Sequence, residues 1–415
     1  MGGFIKRLRK GYGKKLVSLH AWNGWIVVIL ALTGLILVGG FWRGFLGEGR
    51  VWIKWLHIVV GIASILPVLY YLLLAGKHWK QLREKPWQRF NVLVVLGLLL
   101  GWFGSGVLLW QFRAVGPGVS NVALVVHDLL TWIGLPYIIY HSITRVKWLK
   151  EPNKRTVRSP QATADEVHPA APQPLYTRRA FIRGAIGVSL AVTIGPSFLK
   201  WMGDSLGGFA GLGGSQSLDK LIENDSNELL PAPEPLPASA PPMGGGAAGQ
   251  FRVYTVTPIP SFTNENWSFV VDGLVQQKLQ WNWEQFVALK RTVQVSDFHC
   301  VTGWSVYNNT WEGIPLKELL KLAGVKTKAR TVKLYSGDGV YTDTLTLEQA
   351  DMDDVMVAVM HDGKPIPSDL GGPVRLVVPK MYAYKSVKWL NRVELIEGEH
   401  VGYWEARGYA NDAWV

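Results

Sequence analysis

One cysteine, Cys300, stands in 415 residues. A lone thiol closes no internal disulfide, so no disulfide framework supports this fold. Acidic residues are also scarce: 31 Asp and Glu face 43 Lys and Arg, a formal net charge of +12. A basic excess can mark a nucleic-acid binder. Here the cations flank long apolar runs, the placement of a membrane protein, and no nucleic acid is expected as a partner. Those runs lack carboxylates too, Asp128 apart.

What is present divides the chain in two. Up to about residue 201, Leu, Ile, Val, Trp and Gly dominate; beyond about residue 250 the composition is that of a soluble domain. Between them lies PAPEPLPASAPPMGGGAAG (231–249), a tract expected to be a linker because it buries little. The expected units are 1–150, a transmembrane bundle; 151–176, a cytoplasmic linker; 177–202, a signal or anchor helix; 203–250, the Pro/Gly/Ala linker; and 251–415, an outer domain.

A bilayer span takes about 20 apolar residues. Five segments qualify: Leu16–Gly39, Trp55–Ala75, Phe90–Trp110, Val122–Ile143 and Ala180–Trp201. Their flanks alternate in charge. IKRLRKGYGKK, GKHWKQLREKPWQR and RVKWLKEPNKRTVR are basic, whereas FWRGFLGEGRVW and FRAVGPGVSN carry few cations. The positive-inside rule then places the N-terminus in the cytoplasm and the C-terminal domain outside the inner membrane. Arg178 and Arg179 before Phe181 resemble a twin-arginine export signal, a route suited to a domain that acquires its cofactor before export. A stop-transfer flank would also hold arginines there.

Ionisable groups inside spans are costly and point to function. His20 opens span one on the inner side, and His57 opens span two on the outer side. His127 and His141 lie fourteen residues apart on span four. That is nearly four turns at about 3.6 residues per turn, so both face one way, roughly 21 Å apart. Depth pairs His57 with His127 and His20 with His141. Two such pairs in a four-helix bundle are what two axially ligated haems require. Gly24, Gly61 and Gly134 are expected to open space beside the histidine face. His78, beyond the end of span two among basic residues, reads as interfacial. A proton path through the histidines is the competing reading.

This pattern resembles the dihaem cytochrome b subunits of respiratory formate dehydrogenases and hydrogenases, over about residues 10–150. The resemblance implies two haem b groups, an outer one on His57 and His127 and an inner one on His20 and His141. It also implies electron exchange with a quinone or quinol near the inner haem.

In the outer region FRVYTVTP, WSFVVDGLV, TVKLYSG and GPVRLVVP read as strands, and WNWEQFVAL and PLKELLKLAG as helices. The expected class is an α+β domain after an all-α four-helix transmembrane bundle and a fifth transmembrane helix. Cys300 is open to three readings: a buried structural thiol, a nucleophile beside His299, or a metal thiolate. Neighbours on a strand point to opposite faces, which weighs against the second. The third requires a cofactor to supply the remaining ligands.

DFHCVTGWS, then TWEGIPLKELLKLAG, then GGPVRLVVPKMYAYKSVKWLNRVEL and the closing GYWEARGYANDAW together resemble the sulfite oxidase family of molybdopterin enzymes, in its broad bacterial branch that includes the periplasmic methionine-sulfoxide reductase. The resemblance spans nearly all of 251–415. It implies Mo-molybdopterin with Cys300 as the protein ligand of molybdenum and as the catalytic centre. It implies Arg375, His299, Lys385, Ser386, Val387 and Lys388 as cofactor-binding residues. The YKSVKW stretch is expected to be extended, with its cations on one face. Leu370 stands where many relatives have His or Asn, and Thr302 where the methionine-sulfoxide reductase has an acid. The expectation is a membrane-anchored oxidoreductase exchanging electrons between quinone and a small extracytoplasmic oxo-substrate by oxygen-atom transfer, sulfoxide reduction favoured. Sulfite-type oxidation feeding quinone is the alternative, and a non-catalytic electron carrier with a degenerate outer domain is another. A periplasmic redox partner is compatible with each.

Overall fold

A computed structural model describes residues 11–38, 46, 49–144, 178–209 and 214–415. The expected cytoplasmic linker and most of the N-terminal basic flank lie outside the described residues.

Four helical spans are long and apolar enough to cross a membrane: Tyr12–Leu37, Gly49–Gln81, Pro86–Trp110 and Phe112–Ser142. The first is helix α1 (Tyr12–Val38). The second is two helices, α2 (Gly49–Ala63) and α3 (Ile65–Gln81), broken at Ser64. Pro67 explains the break, since it cannot donate to the carbonyl of Ala63 and its ring crowds that group. The third is α4 (Pro86–Trp110), with its proline in the first turn, where the missing donor costs nothing. The fourth is α5 (Phe112–Thr144), bent at Gly116, whose φ is 76°. Helix α6 (Arg178–Phe209) follows. Its parts Ala180–Val192 and Ile194–Gly203 are long and apolar enough to cross a membrane only together, with a 40° bend between them. Trp132 of α5 meets Phe198 and Trp201 of α6 with ring centres 6.3 and 6.4 Å apart.

Short helix α7 (Gly214–Glu223) leads into the α+β domain. One of its sheets runs in the order β2 (Leu279–Trp281), β1 (Phe269–Gly273), β10 (Leu390–Ile396), β5 (Thr331–Ser336), β6 (Thr342–Thr346). Only the β1–β10 pair in it is parallel. The other sheet runs β3 (Thr292–His299), β4 (Ser305–Pro315), β7 (Met356–His361), β8 (Lys364–Pro365), with β9 (Arg375–Val377) also on β7. Helix α8 (Trp283–Val287) starts in a capping box made by Asn282 and Gln285. Helix α9 (Leu316–Ala323) ends at Gly324 in the left-handed region, as the PLKELLKLAG pattern predicts. Its Leu316, Leu319 and Leu320 join Phe269, Val271 and Phe286 in the main core. Helix α10 (Leu347–Ala350) is a single capped turn.

Two expectations are corrected. FRVYTVTP is irregular, not a strand. It runs past the cavity described below, and Phe251, Arg252, Val253 and Tyr254 line that cavity. The Pro/Ala/Gly tract is not a free tether but is bound along the domain. Buried Glu312 accepts from the Leu236 amide at 2.9 Å and from the Ser239 hydroxyl. Asp362 accepts from the Ala247 amide at 2.7 Å, and Pro231 accepts from the Trp283 indole at 2.8 Å. Composition deprives this tract of a core of its own, but buried carboxylates elsewhere satisfy its backbone.

Candidate active site and histidine pairs

Strands β3 and β4 form an antiparallel pair whose register ends at His299 and Ser305. Cys300 therefore sits at the tip. The Cys300 amide donates to Trp304 O at 3.0 Å, and the Gly303 amide donates to Cys300 O at 2.9 Å. Gly303 has φ 95°, and a Cβ there would lie 2.8 Å from Leu109 and 3.1 Å from Ser120 O. The cysteine turn thus rests directly on α4 and α5, and a side chain at 303 would push it off.

A single cavity of about 1940 Å³ runs from His57 and His127 in the bundle to Cys300, Thr302 and Arg375 in the domain. Burial pushes the Cys300 thiol up; its contact with Thr302 Oγ1 at 3.2 Å and the charges of Arg252 and Lys388 pull the other way. Arg375 is buried. Its guanidinium donates to Leu370 O at 2.6 Å and Ser386 O at 3.3 Å, and lies over the Phe298 and Trp311 rings at 4.8 and 5.5 Å. Among the described residues no carboxylate pairs with it, and burial pushes it down to about 9. A buried guanidinium without a carboxylate partner is a strong anion receptor.

The other residues expected around the cofactor divide. Ser386 and Lys388 line the cavity. Ser386 Oγ accepts from the Val378 amide at 3.0 Å, and Lys388 Nζ donates to Asp369 O at 2.7 Å. The cavity wall does not include His299, Lys385 or Val387. His299 Nδ1 is 2.8 Å from Ser305 Oγ. Val387 is buried in the main core. Lys385 turns its side chain elsewhere. Its ammonium is fully buried against Asp343 at 2.7 Å, Glu405 at 2.5 Å and Asn411 at 2.9 Å, so its side chain does not reach the cavity. The reason is local. Residues Ala383–Lys385 form a 3₁₀ turn and Trp389 has φ 51°, so YKSVKW is not extended and its cations do not share a face.

The bundle brings its histidines together in two pairs. The His57 and His127 rings are 6.4 Å apart, and the His20 and His141 rings 6.0 Å apart. The Thr33 hydroxyl is 2.8 Å from His57 Nδ1 and also 2.8 Å from Ile29 O. A hydroxyl has one proton, and the carbonyl can only accept. The Thr33 oxygen therefore accepts from His57 Nδ1–H, which leaves the Nε2 lone pair free. Ser105 does the same for His127, at 2.9 Å from Nδ1 and 2.7 Å from Gly101 O. His141 Nδ1 donates to Asn91 Oδ1 at 2.9 Å, which also accepts from the Tyr137 hydroxyl at 2.6 Å. The glycines beside the outer pair are Gly34 and Gly106, where added Cβ atoms would lie 3.4 Å from His57 and 3.7 Å from His127. A Cβ at Gly24 would meet nothing within 4 Å and Gly61 lines the cavity with His57, whereas Gly134 admits Leu98 and Trp102 of α4, a close helix crossing.

Sequence reasoning missed Thr33, Ser105 and Asn91. Their signal was available, since each is a polar residue inside an apolar span. It also missed Tyr409, a half-buried tyrosine on the cavity wall, its phenol pushed up by desolvation and by the nearby Cys300. No periodicity singles out one tyrosine among fourteen.

Comparison with known proteins places this geometry. The oxidoreductase molybdopterin binding domain family matches residues 256–404. The uncharacterized oxidoreductase YuiH of Bacillus subtilis is 32% identical over 176 residues, 42% of this chain and 88% of that protein. The putative protein-methionine-sulfoxide reductase subunit YedZ1 of Azospira oryzae is 31% identical over 139 residues, 34% of this chain and 52% of that one. The protein-methionine-sulfoxide reductase catalytic subunit MsrP of Pseudomonas syringae is 28% identical over 163 residues, 35% of this chain and 48% of that one. The chain thus spans most of the Bacillus relative and about half the length of the other two. With a thiol and a buried guanidinium sharing one cavity in the matched region, the chain belongs to the molybdopterin-binding oxidoreductases of the sulfite oxidase family, and it is an enzyme.

Proposed function

We propose that the chain is a membrane-anchored molybdopterin oxidoreductase that exchanges electrons between quinone and an oxo-substrate outside the inner membrane, through two b haems. The single observation that carries this reading is the continuous cavity joining Cys300 to the His57–His127 pair. An electron route needs its centres close, and both ends line this one cavity.

The residues fit the cofactors. Cys300 supplies a soft thiolate, the donor suited to molybdenum. Arg375 and Lys388 offer cations, and Ser386 a hydroxyl, to an anionic phosphate arm. Lys385 and Val387 serve that segment by holding its turn, and His299 by bracing the β3–β4 tip. An imidazole nitrogen stands about 2 Å from a metal it ligates, so a metal between two rings places their centres about 6 Å apart. Both histidine pairs have this spacing. At the outer pair the Thr33 and Ser105 hydroxyls hold Nδ1–H and leave Nε2 as the donor, as outer-shell groups do for metal ligands. When bound, molybdenum supplies two-electron oxygen-atom transfer and the haems supply one-electron steps.

The protein's part is positioning. Helices α4 and α5 seat the cysteine turn, and the Arg252–Asp128 ion pair at 3.1 Å and the Tyr382 hydroxyl on Phe112 O at 3.3 Å hold the domain on the bundle. The basic flanks favour an N-terminus in the cytoplasm, α6 as a fifth span, and residues 251–415 outside. Relatives named as methionine-sulfoxide reductases favour sulfoxide reduction. The cation-rich cavity favours a second reading, sulfite-type oxidation, because an oxyanion would be drawn to it. Purified chain, given quinol with sulfoxides and quinone with sulfite, decides between them. Absence of b-type haem absorption, or of molybdenum, sinks the proposal.

A further inference from the structure

Arg50 and Lys54 lie on α2, seven and three residues before His57. At about 3.6 residues per turn all three share a face, with the cations roughly 10 and 4.5 Å further out along the axis. All three line the same cavity. The placement is unfavourable by itself. Cations in the first turns of a helix oppose its macrodipole. Like charges four residues apart repel. Among the described residues neither has a carboxylate partner. Their heads are nevertheless held in place. Arg50 donates to Leu37 O at 2.8 Å and lies 5.5 Å from the Tyr254 ring centre. Lys54 Nζ lies 4.4 Å from the Tyr409 ring centre and 3.4 Å from its hydroxyl. Two cations held toward one apolar-walled space, with no carboxylate between them, make a favourable seat for an anion.

We propose that Arg50 and Lys54 form an anion site at the junction of bundle and domain, which takes the carboxylate side arms of the haem held by His57 and His127. The inference rests on the haem reading above. The two cations would hold the carboxylate arms of that group at the junction of bundle and domain. The site also raises the outer haem's potential, because positive charge favours the reduced form.

The test is an optical redox titration of the full-length holoprotein and its variants. A unit charge about 10 Å from the iron, at an effective dielectric of about 20, shifts a one-electron equilibrium roughly tenfold. Tenfold is about 59 mV for one electron. Lys54→Met and Arg50→Met are each expected to lower the outer haem potential by about that amount and leave the inner haem unchanged; Lys54→Arg is expected to titrate like the native protein. Unchanged potentials in both Met variants overturn the proposal. So does a raised KM for sulfite with unchanged potentials, which assigns the cations to substrate. Should Lys54→Met release the outer haem, retention in Lys54→Arg supports the site and loss in both variants overturns it. Failure of the haem reading itself is seen separately, as a native protein without two b-type haems.

Discussion

In the bundle, Trp22, Leu66 and Ile133 face outward while Thr33, Ser105 and His141 are buried. In the outer domain Phe269, Val271 and Leu316 are buried, and charged side chains such as Lys317 and Asp353 meet at the surface. The two regions share one rule under two solvents. Lipid does not force apolar groups inward, so the bundle interior is available for polar residues that carry function. Water forces a packed apolar core, so the domain confines its chemistry to a loop tip and the wall of a cleft. Yet the domain also buries charge, in the Lys385–Asp343–Glu405 cage, where one cation meets two carboxylates.

This contrast can be broken at several points. The largest effect is expected from Cys300→Ser: substrate turnover falls to background while both haem bands keep their intensity, read by activity assay and difference spectra. Next, His57→Ala removes the outer haem band and quinol-linked turnover but leaves turnover with a soluble dye, whereas His20→Ala removes only the inner band. Ser105→Ala leaves His127 without its tautomer lock and weakens outer haem retention by about 10–100-fold, the usual effect of losing an outer-shell partner; haem titration of the apoprotein measures it. Gly303→Ala introduces an overlap costing about 1–3 kcal/mol at the domain–bundle contact. Quinol-linked turnover then falls more than dye-linked turnover, and the ratio is the readout.

The smallest effect concerns pH. Asp343 is raised to about 7, chiefly by burial; Lys385 pulls it down and Glu405 adds to the rise. Its ordinary value is about 3.9, so the folded state holds this proton more tightly than the unfolded one. The stability it contributes is complete below about pH 4 and is lost as pH rises through about 7. Asp343→Asn should flatten that fall in thermal melts taken across this range.

Much of this architecture was legible because it is periodic. Apolar length marked the four spans, and a fourteen-residue spacing put His127 and His141 on one face. The α9 helix and its glycine stop followed from PLKELLKLAG. What was hidden depends on contacts remote in sequence. Nothing in PAPEPLPASAPP reveals that Glu312, some 75 residues on, binds its backbone. Alternation in YKSVKW suggested a cationic face, but a 3₁₀ turn sent Lys385 into a carboxylate cage. The roles of Gly34 and Gly106 likewise come from neighbouring helices, not from spacing along their own.

The central claim is that electrons pass between the bundle and the thiol site within one chain. The most direct measurement is rapid-mixing spectroscopy of the anaerobic holoprotein, its haems first reduced by quinol and then mixed with a sulfoxide. The haem bands should reoxidise at the rate of turnover in the native protein and stay reduced in Cys300→Ser. Reoxidation at the same rate in both, or in neither while the native protein still turns over, would contradict it.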